Sequence, residues 1–213
     1  MKETQKHQPR GFCVSFSIFT DKEAFIMDRS VLSDHLERSP VIANAASEQA
    51  FYAALNSPPE VIFYQNISLP RIETMVKEAH DAGKCLFAHM DLAEGLGKDR
   101  TGVEYLAACG MDGLISTRGQ LIRYANEAGL LTVQRFFLLD SQSLSGVNNM
   151  IANTTPDWIE VIPGVIGKAI ERFAGGRVPV IAGGLIETKA EVTEALRCGA
   201  AAVSTSREDL WYL

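Results

Sequence analysis

The sequence predicts an α/β fold made of a single domain, a TIM-like (β/α)8 barrel. Short apolar β-type runs alternate with helical stretches about eight times in 213 residues, the number that closes such a barrel. The runs are apolar without alternation, as expected for parallel strands buried on both faces. A doubly wound open sheet is the alternative, but its glycine-rich loop would normally follow the first strand. Here Asn44-Ala45-Ala46 follows that strand and the glycines come last.

The predicted strands and helices follow one another regularly after Pro40. In chain order, we predict strands at 41–44, 61–64, 85–89, 113–116, 130–134, 158–161, 178–184 and 199–206. Between them we predict helices at 47–55, 69–82, 141–152, 163–173 and 188–198. We also predict one helix that follows the loop 90–100 and ends at Cys109, and one that ends at Ala128. Four of these helices end before a glycine, which is predicted to turn the chain in the left-handed conformation: Gly83, Gly110, Gly129 and Gly199.

The first part of the chain does not fit this pattern. We predict that residues 1–38 form an atypical N-terminal extension and that residues 39–213 form the barrel. Residues 12–19 alternate apolar and small polar side chains, which indicates either an extra strand or a weakly ordered extension. Basic residues precede this stretch, as in a signal peptide, but acidic residues follow at once and no small-residue cleavage site is evident.

Composition excludes several classes of protein. The net charge is −6 and the pI is about 5.3, which opposes broad affinity for nucleic acid but leaves room for a local basic patch. No apolar run approaches the ~20 residues that span a bilayer. The four cysteines form no CxxC pair, so we expect buried inert thiols in a reducing cytosol and no zinc site.

Polar and glycine residues cluster where the predicted strands end, and in a barrel these ends carry the working residues. The candidate ligand-binding residues are His89, Asp91, Glu94, Lys98, Ser116, Thr117, Gln134, Arg135, Glu160, Gly164, Gly183, Gly184, Ser204 and Thr205. Glycines and hydroxyls after the last two strands suit a phosphate. We expect backbone N–H groups near Gly184 and Ser206, with the Ser204 and Thr205 hydroxyls, to hold it.

His89 and Asp91 are the sharpest pair, because alternate strand residues face one side. Asp91 could orient His89 as a general acid or base, bind a ligand hydroxyl, or simply hydrogen-bond the following loop. A divalent metal on His89, Asp91, Glu94 and Glu160 matches no recognised spacing, so we expect neither a metal nor a cofactor.

The cationic candidates are Lys98 and Arg135. No lysine lies inside a predicted strand, which disfavours a Schiff-base aldolase. Lys98 lies in a loop that Gly95 and Gly97 make adaptable, so it could reach over a bound anion or stay solvated. Arg135, at the end of a strand, is well placed to fork onto a phosphate or a carboxylate.

Six motifs together resemble the glycerol uptake operon antiterminator regulatory proteins. In order they are His89-Met90-Asp91-Leu92-Ala93-Glu94-Gly95-Leu96-Gly97-Lys98-Asp99, Asp112-Gly113-Leu114-Ile115-Ser116-Thr117, Gln134-Arg135-Phe136-Phe137-Leu138-Leu139-Asp140-Ser141, Glu160-Val161-Ile162-Pro163-Gly164, Ile181-Ala182-Gly183-Gly184-Leu185-Ile186 and Ala202-Val203-Ser204-Thr205-Ser206. The resemblance covers about 39–211, and residues before about Leu32 have no counterpart in it.

This resemblance implies a cytoplasmic regulator with a TIM-like barrel. It would sense glycerol 3-phosphate and act on leader mRNA, so that transcription of glycerol-use genes passes a terminator. The RNA surface is not predicted by any motif; a local one would use Arg118, Arg123, Arg135, Lys168 and Arg172. The alternatives are a phosphate-binding barrel enzyme, an isomerase or lyase using His89 and Asp91, and a small-molecule-binding module without RNA activity. Nothing in the sequence predicts the oligomeric state.

Overall fold

Eight parallel strands close into one barrel in a computed structural model that describes residues 29–138 and 146–213. The strands are β1 (Val41–Ala45), β2 (Val61–Tyr64), β3 (Cys85–His89), β4 (Gly113–Ser116), β5 (Leu131–Phe137), β6 (Trp158–Ile162), β7 (Val180–Gly183) and β8 (Ala202–Thr205). Each strand pairs with the next along the chain, and β1 pairs with β8. The predicted barrel is confirmed, and the open sheet is excluded.

Helices connect successive strands on the outside of the barrel. The described helices are α1 (Arg29–Arg38), α2 (Glu48–Leu55), α3 (Ile72–Asp81), α4 (Arg100–Ala108), α5 (Gly119–Glu127), α6 (Val147–Thr154), α7 (Gly167–Glu171) and α8 (Lys189–Arg197), with 3-10 turns at Leu69–Arg71 and Glu208–Tyr212. Side chains cap several of them: the Ser47 hydroxyl accepts from the Ala50 N–H, and Thr188 forms a capping box with Glu191.

The four glycines predicted to end helices do so. Gly83, Gly110, Gly129 and Gly199 have φ values of 69°, 81°, 79° and 95°, a region that other residues adopt at a cost. Each leads the chain directly from a helix toward the next strand, which explains how short connections build a regular barrel.

Two apolar cores hold the barrel together. One lies between the strands and the surrounding helices and contains outward-facing strand residues such as Leu86 and Leu114. The other fills the barrel interior with Ile42, Phe63 and Phe87 among its members. Alternation along each strand therefore separates the two cores, although the strand sequences themselves show no polar alternation.

Helix α1 covers the end of the barrel where the strands begin. Its Leu32 and Leu36 are buried in the interior core. Glu60, directly before β2, accepts a hydrogen bond of 2.6 Å from Arg38 and contacts the His35 ring. This helix lies within the predicted extension, so at least residues 29–38 pack on the barrel. The strand-like stretch at 12–19 lies outside the described residues, and the proposed domain boundary stays a prediction.

Several elements differ in length from the prediction, and β7 and β8 are shorter, with four residues each. Strand β5 continues three residues past Gln134, because it pairs with β6 from Val133 and Trp158 to Phe137 and Ile162. Helix α7 has five residues instead of the predicted 163–173. Its start is delayed because the Gly164 N–H donates to the Gly183 carbonyl and so holds this segment against β7. The predicted start of the helix at 141–152 lies outside the described residues.

The cysteine thiols in the described segments are placed as expected for inert groups. Cys85 and Cys198 are buried and Cys109 is half-buried. Burial raises the pKa of the Cys85 thiol to about 12, so it stays protonated at neutral pH. Within residues 29–138 and 146–213, none of the helices combines the length and apolar character needed to cross a membrane.

Candidate functional site

The candidate site lies at the mouth of the barrel, where the strands end. Its floor is a connected group of inward-facing side chains from four strands. The Arg135 Nε donates to Glu160 at 2.6 Å, and the Ser204 hydroxyl donates to the other oxygen of the same carboxylate at 2.6 Å. Arg135 Nη2 lies 3.3 Å from His89 Nε2. The sequence-predicted residues His89, Arg135, Glu160 and Ser204 therefore meet in one cluster.

This cluster is almost closed to solvent. The Glu160 side chain is 1% exposed and that of Arg135 is 14% exposed. A buried carboxylate needs a counter-charge and hydrogen-bond donors, and Arg135 and Ser204 supply both. Burial, and secondly the nearby Arg135 charge, hold the pKa of His89 well below its usual value. His89 is therefore neutral at physiological pH, and its Nε2 can accept a hydrogen bond from Arg135.

Glycines let the ends of β6, β7 and β8 approach one another beside this cluster. A Cβ on Gly183 would lie 2.3 Å from the Glu160 Oε1 and 2.7 Å from the Ser204 Oγ. A Cβ on Gly164 would lie 2.7 Å from the Gly183 nitrogen. Gly184 follows with a φ of 76°. These glycines thus allow close packing at the mouth, where the Glu160 carboxylate and the Ser204 hydroxyl fill the space beside Gly183.

A second group lies at the ends of β3 and β4, on the side of the mouth opposite β7 in the closed strand order. The Asp91 carboxylate accepts from the Thr117 N–H at 2.7 Å, from the Ser116 hydroxyl at 3.0 Å and from the Thr117 hydroxyl at 3.1 Å. Arg118 Nε lies 3.4 Å from Asp91. Asp91 consequently fixes the loop between β4 and α5, whereas the sequence had left open a bond to the loop that follows Asp91 itself.

Lys98 also belongs to this second group. Its ammonium group donates to the Ala93 carbonyl, and burial lowers its pKa while the nearby Asp91 carboxylate opposes that shift. The loop that carries it is held in place, because the main chain of Glu94 bonds to Ile67 and Leu69 in the preceding loop. Glu94 itself is exposed, and its main chain rather than its side chain organises this rim of the mouth.

Two predicted ligand residues face away from the mouth. The Gln134 side chain points from β5 toward the surrounding helices and is fully buried there. Its carbonyl oxygen accepts a hydrogen bond from the Thr154 hydroxyl of α6. The Thr205 hydroxyl likewise points outward and donates to the Ile186 carbonyl at 2.8 Å. Both expectations need correction, because adjacent residues of a strand point to opposite faces. The Ser204 hydroxyl faces inward, but it is already bound to Glu160.

One residue at the mouth, Gln65, was not predicted as part of the site, and it contacts Asn44 at the end of the first strand. Gln65 comes directly after β2, and its amide nitrogen donates to the Asn44 side chain of β1 at 3.0 Å. The signal was available in the alternation of β2, because Val61 and Phe63 face the interior and Gln65 continues that parity. Asn44 and Gln65 complete the polar rim between β8 and β3.

The acid–base pair of the enzyme alternative is not assembled. His89 contacts Arg135, whereas the Asp91 carboxylate is engaged by Ser116 and Thr117. In the described parts of the chain, no cluster of three or more His, Cys, Asp or Glu side chains is arranged to hold a metal ion. The described strands also contain no lysine that could form a Schiff base. The mouth thus presents a hydrogen-bonding cup with one guanidinium at its floor.

Comparison with known proteins identifies one matching family and a relative of similar length. Residues 41–211 match the family model described as glycerol-3-phosphate responsive antiterminator. The chain is 31% identical over 183 residues to YgcP of Escherichia coli strain K12, covering 84% of this chain and 94% of that protein.

Two solved structures are similar over most of their length. A glycerol uptake operon antiterminator regulatory protein from Listeria monocytogenes is 32% identical with a TM-score of 0.77, covering 81% of this chain and 95% of that one. A glycerol uptake operon antiterminator-related protein from Thermotoga maritima is 30% identical with a TM-score of 0.72, covering 80% and 96%. Aldolase barrels at 11% to 14% identity share the fold alone.

Proposed function

Because the chain belongs to the glycerol-3-phosphate responsive antiterminator family, we propose that it binds glycerol 3-phosphate in the barrel mouth and thereby controls its action on leader mRNA in the cytoplasm. The observation that carries the proposal is the coincidence of the family match with a polar cup at the carboxyl ends of the strands, built on the Arg135–Glu160 pair. The protein acts in this proposal as a regulator and not as an enzyme.

The phosphate of the ligand would lie beside the ends of β7 and β8. The Glu160 carboxylate and the Ser204 hydroxyl fill the space beside Gly183. The groups that would approach an anion are therefore the main-chain N–H groups beyond them, near Gly184 and Ser206. The Ser204 and Thr205 hydroxyls are engaged by Glu160 and Ile186, so we assign them to the support of the strands and not to the phosphate.

The glycerol end would extend across the mouth toward β3 and β4. A guanidinium has five N–H donors, and Arg135 uses two of them on Glu160 and His89, which leaves donors for ligand oxygens. Asp91 would act here through the loop that it fixes, by holding Thr117 and Arg118 at the rim. Lys98 would supply further positive charge near that rim.

The charges at the mouth suit a phosphorylated ligand. Arg135, Arg118 and Lys98 are cationic, whereas Glu160 and Asp91 are the carboxylates that face them. With His89 neutral and Glu94 exposed at the same rim, these three cations face three carboxylates, so the charge at the mouth is balanced in a chain that is negative as a whole. A phosphate would therefore be held by hydrogen bonds from these individual cations and not by a net positive field.

The direct test is a calorimetric titration of the full chain with glycerol 3-phosphate, inorganic phosphate and glycerol. A site built for both ends of the ligand penalises analogues that lack one of them, so glycerol 3-phosphate should bind at least ~10-fold more tightly than either fragment. Equal affinity for glycerol 3-phosphate and inorganic phosphate would overturn the assignment of the glycerol end. Turnover of a sugar phosphate would favour the barrel-enzyme alternative.

A further inference from the structure

A cavity of about 670 Å³ lies on the flank of the barrel, toward the end opposite the mouth. It is bounded by α6, by the loop before β6 and by the segment from Arg172 to Val178 that leads into β7. Ile159 of β6 forms part of its wall. Its volume is within the ~300–1,000 Å³ typical of pockets that hold small ligands or single nucleotides.

The charged residues that line this cavity are all arginines. They are Arg29, Arg172 and Arg177, and the lining contains no carboxylate. Of the eleven described arginines, seven form ion pairs with carboxylates. Three of the remaining four surround this one cavity. The positive charge is therefore concentrated at a place where no carboxylate in the described segments neutralises it.

The wall between two of these arginines consists of bare main chain. Gly175 and Gly176 are exposed, and a Cβ on Gly175 would meet nothing within 4 Å. Arg172 and Arg177 are also exposed on either side of them. A ligand with several anionic groups can thus approach the backbone closely. Two guanidinium groups, Arg172 and Arg177, can each donate two parallel hydrogen bonds to its phosphate oxygens.

The arginines at the mouth are less available to bind a polyanion. Arg135 is largely buried and paired with Glu160, and Arg118 is paired with Asp91. Of the RNA surface expected from the sequence, Arg172 lines the flank cavity, whereas these two are neutralised by carboxylates. A chain with a net charge of −6 needs a local patch of unneutralised cations to hold a polyanion.

We infer that this cavity binds leader RNA through the phosphates of a single-stranded segment, held by Arg172 and Arg177. The inference rests on the proposed function, because it assigns the surface on which the regulator would meet its RNA. Aromatic platforms for base stacking are not exposed there: Phe173 and Trp158 are both buried. The cavity therefore contacts the backbone, and the sequence of the RNA is read elsewhere or through its shape.

One strand connects this cavity with the barrel mouth. On β6, the Trp158 ring lies 5.5 Å below the Arg29 guanidinium, Ile159 lines the cavity, and Glu160 pairs with Arg135 at the mouth. A ligand that hydrogen-bonds to Arg135 and shifts its side chain would also shift Glu160, and with it β6. This gives a physical route by which a ligand at one end can alter the affinity of a surface near the other.

The test is a salt series of RNA binding with the Arg172→Gln/Arg177→Gln variant of the full chain and, as the control, Arg197→Gln, which alters an exposed arginine paired with Glu194 on α8. The probe is a transcribed leader RNA from a glycerol-use operon of the same genome, with glycerol 3-phosphate present. Each lost phosphate contact lowers the slope of log K against log salt by ~0.7 for a single strand. We expect a slope reduced by ~1.4 and an affinity for RNA at least ~10-fold weaker. Binding of glycerol 3-phosphate in the absence of RNA should be unchanged.

An unchanged slope in the double variant would overturn the inference while leaving the proposed function intact, provided that the wild-type chain binds this RNA. Failure of the wild-type chain to bind it would overturn both. Cross-linking with 4-thiouridine RNA gives an independent measurement on the unmodified chain. We expect cross-linked peptides that include residues 172–178; cross-links confined to the mouth loops would place the RNA surface elsewhere.

Discussion

Arg135 and Glu160 lie opposite each other in the register of β5 and β6, and their side chains form an ion pair of 2.6 Å at the floor of the barrel mouth. Removing one partner of such a pair leaves a largely buried charge without compensation. Glu160→Gln should therefore lower the free energy of unfolding by about 3 kcal/mol, measured by urea denaturation at pH 7.

A double variant separates the pair from its surroundings. Arg135→Met combined with Glu160→Gln removes both charges, so neither partner is left as an uncompensated buried charge. The double variant should be more stable than Glu160→Gln alone. If the two single losses simply add, the side chains do not interact as the structure indicates.

Gly184 and Gly129 offer a matched pair of substitutions. Their φ values are 76° and 79°, so alanine imposes a similar backbone cost of about 1–2 kcal/mol at each. A Cβ on Gly129 meets nothing within 4 Å, whereas one on Gly184 lies 3.0 Å from a methyl group of Ile162 at the mouth. Gly184→Ala should weaken glycerol 3-phosphate at least ~10-fold, or about 1.4 kcal/mol, and Gly129→Ala should leave the affinity unchanged. Equal affinities in calorimetry would move the phosphate away from β7.

His89 should make stability depend on pH in a defined direction. Its pKa is held below the ordinary value of 6.5, so below that pH the unfolded chain binds a proton that the folded chain resists. The contribution of His89 is thus present above pH 6.5 and is lost as the pH falls, by up to about 1.4 kcal/mol per unit. Urea denaturation at pH 7.5, 6.5 and 5.5 should show a shallower decline for His89→Gln than for the wild type. Parallel curves would mean that His89 is not held neutral by its site.

Asp91 and Asp99 test whether the rim loop matters for the ligand. Asp91→Asn would turn an amide NH2 toward the Ser116 hydroxyl and the Thr117 N–H, which are donors themselves, and should displace that loop. Asp99 caps α4 through the Gly102 N–H, and asparagine caps helices about as well. We expect Asp91→Asn to weaken glycerol 3-phosphate ~10-fold and inorganic phosphate less, and Asp99→Asn to change neither. Equal losses for both ligands with Asp91→Asn would count against its place at the glycerol end.

The strand order and the helix ends could be predicted because local signals specify them. Glycine at the end of a helix and apolar runs of four or five residues require only neighbouring residues to be recognised, and the left-handed Gly83, Gly110, Gly129 and Gly199 are examples. The shorter α7 could not be foreseen, because its start depends on a bond between Gly164 and Gly183, which are distant in sequence.

The candidate site was predicted at the correct end of the barrel, but two of its predicted side chains point out of the barrel and not into it. Gln134 and Arg135 are adjacent, so only one of them can enter the barrel, and the pattern of β5 does not say which until Leu131 and Val133 are seen in the interior core. Thr205 beside Ser204 presents the same ambiguity. The flank cavity was not predicted at all, because it brings Arg29 together with Arg172 and Arg177 only in the folded chain.

The coupling between ligand and RNA is the central claim, and a pair of titrations tests it most directly. Thermodynamic linkage requires that, if glycerol 3-phosphate raises the affinity for leader RNA, the RNA raises the affinity for glycerol 3-phosphate by the same factor, typically ~5- to 150-fold. The measurement is the dissociation constant of glycerol 3-phosphate for the wild-type chain, with and without saturating leader RNA. We expect a dissociation constant at least ~5-fold lower with the RNA present. A dissociation constant that RNA leaves unchanged would show that the two sites are not coupled.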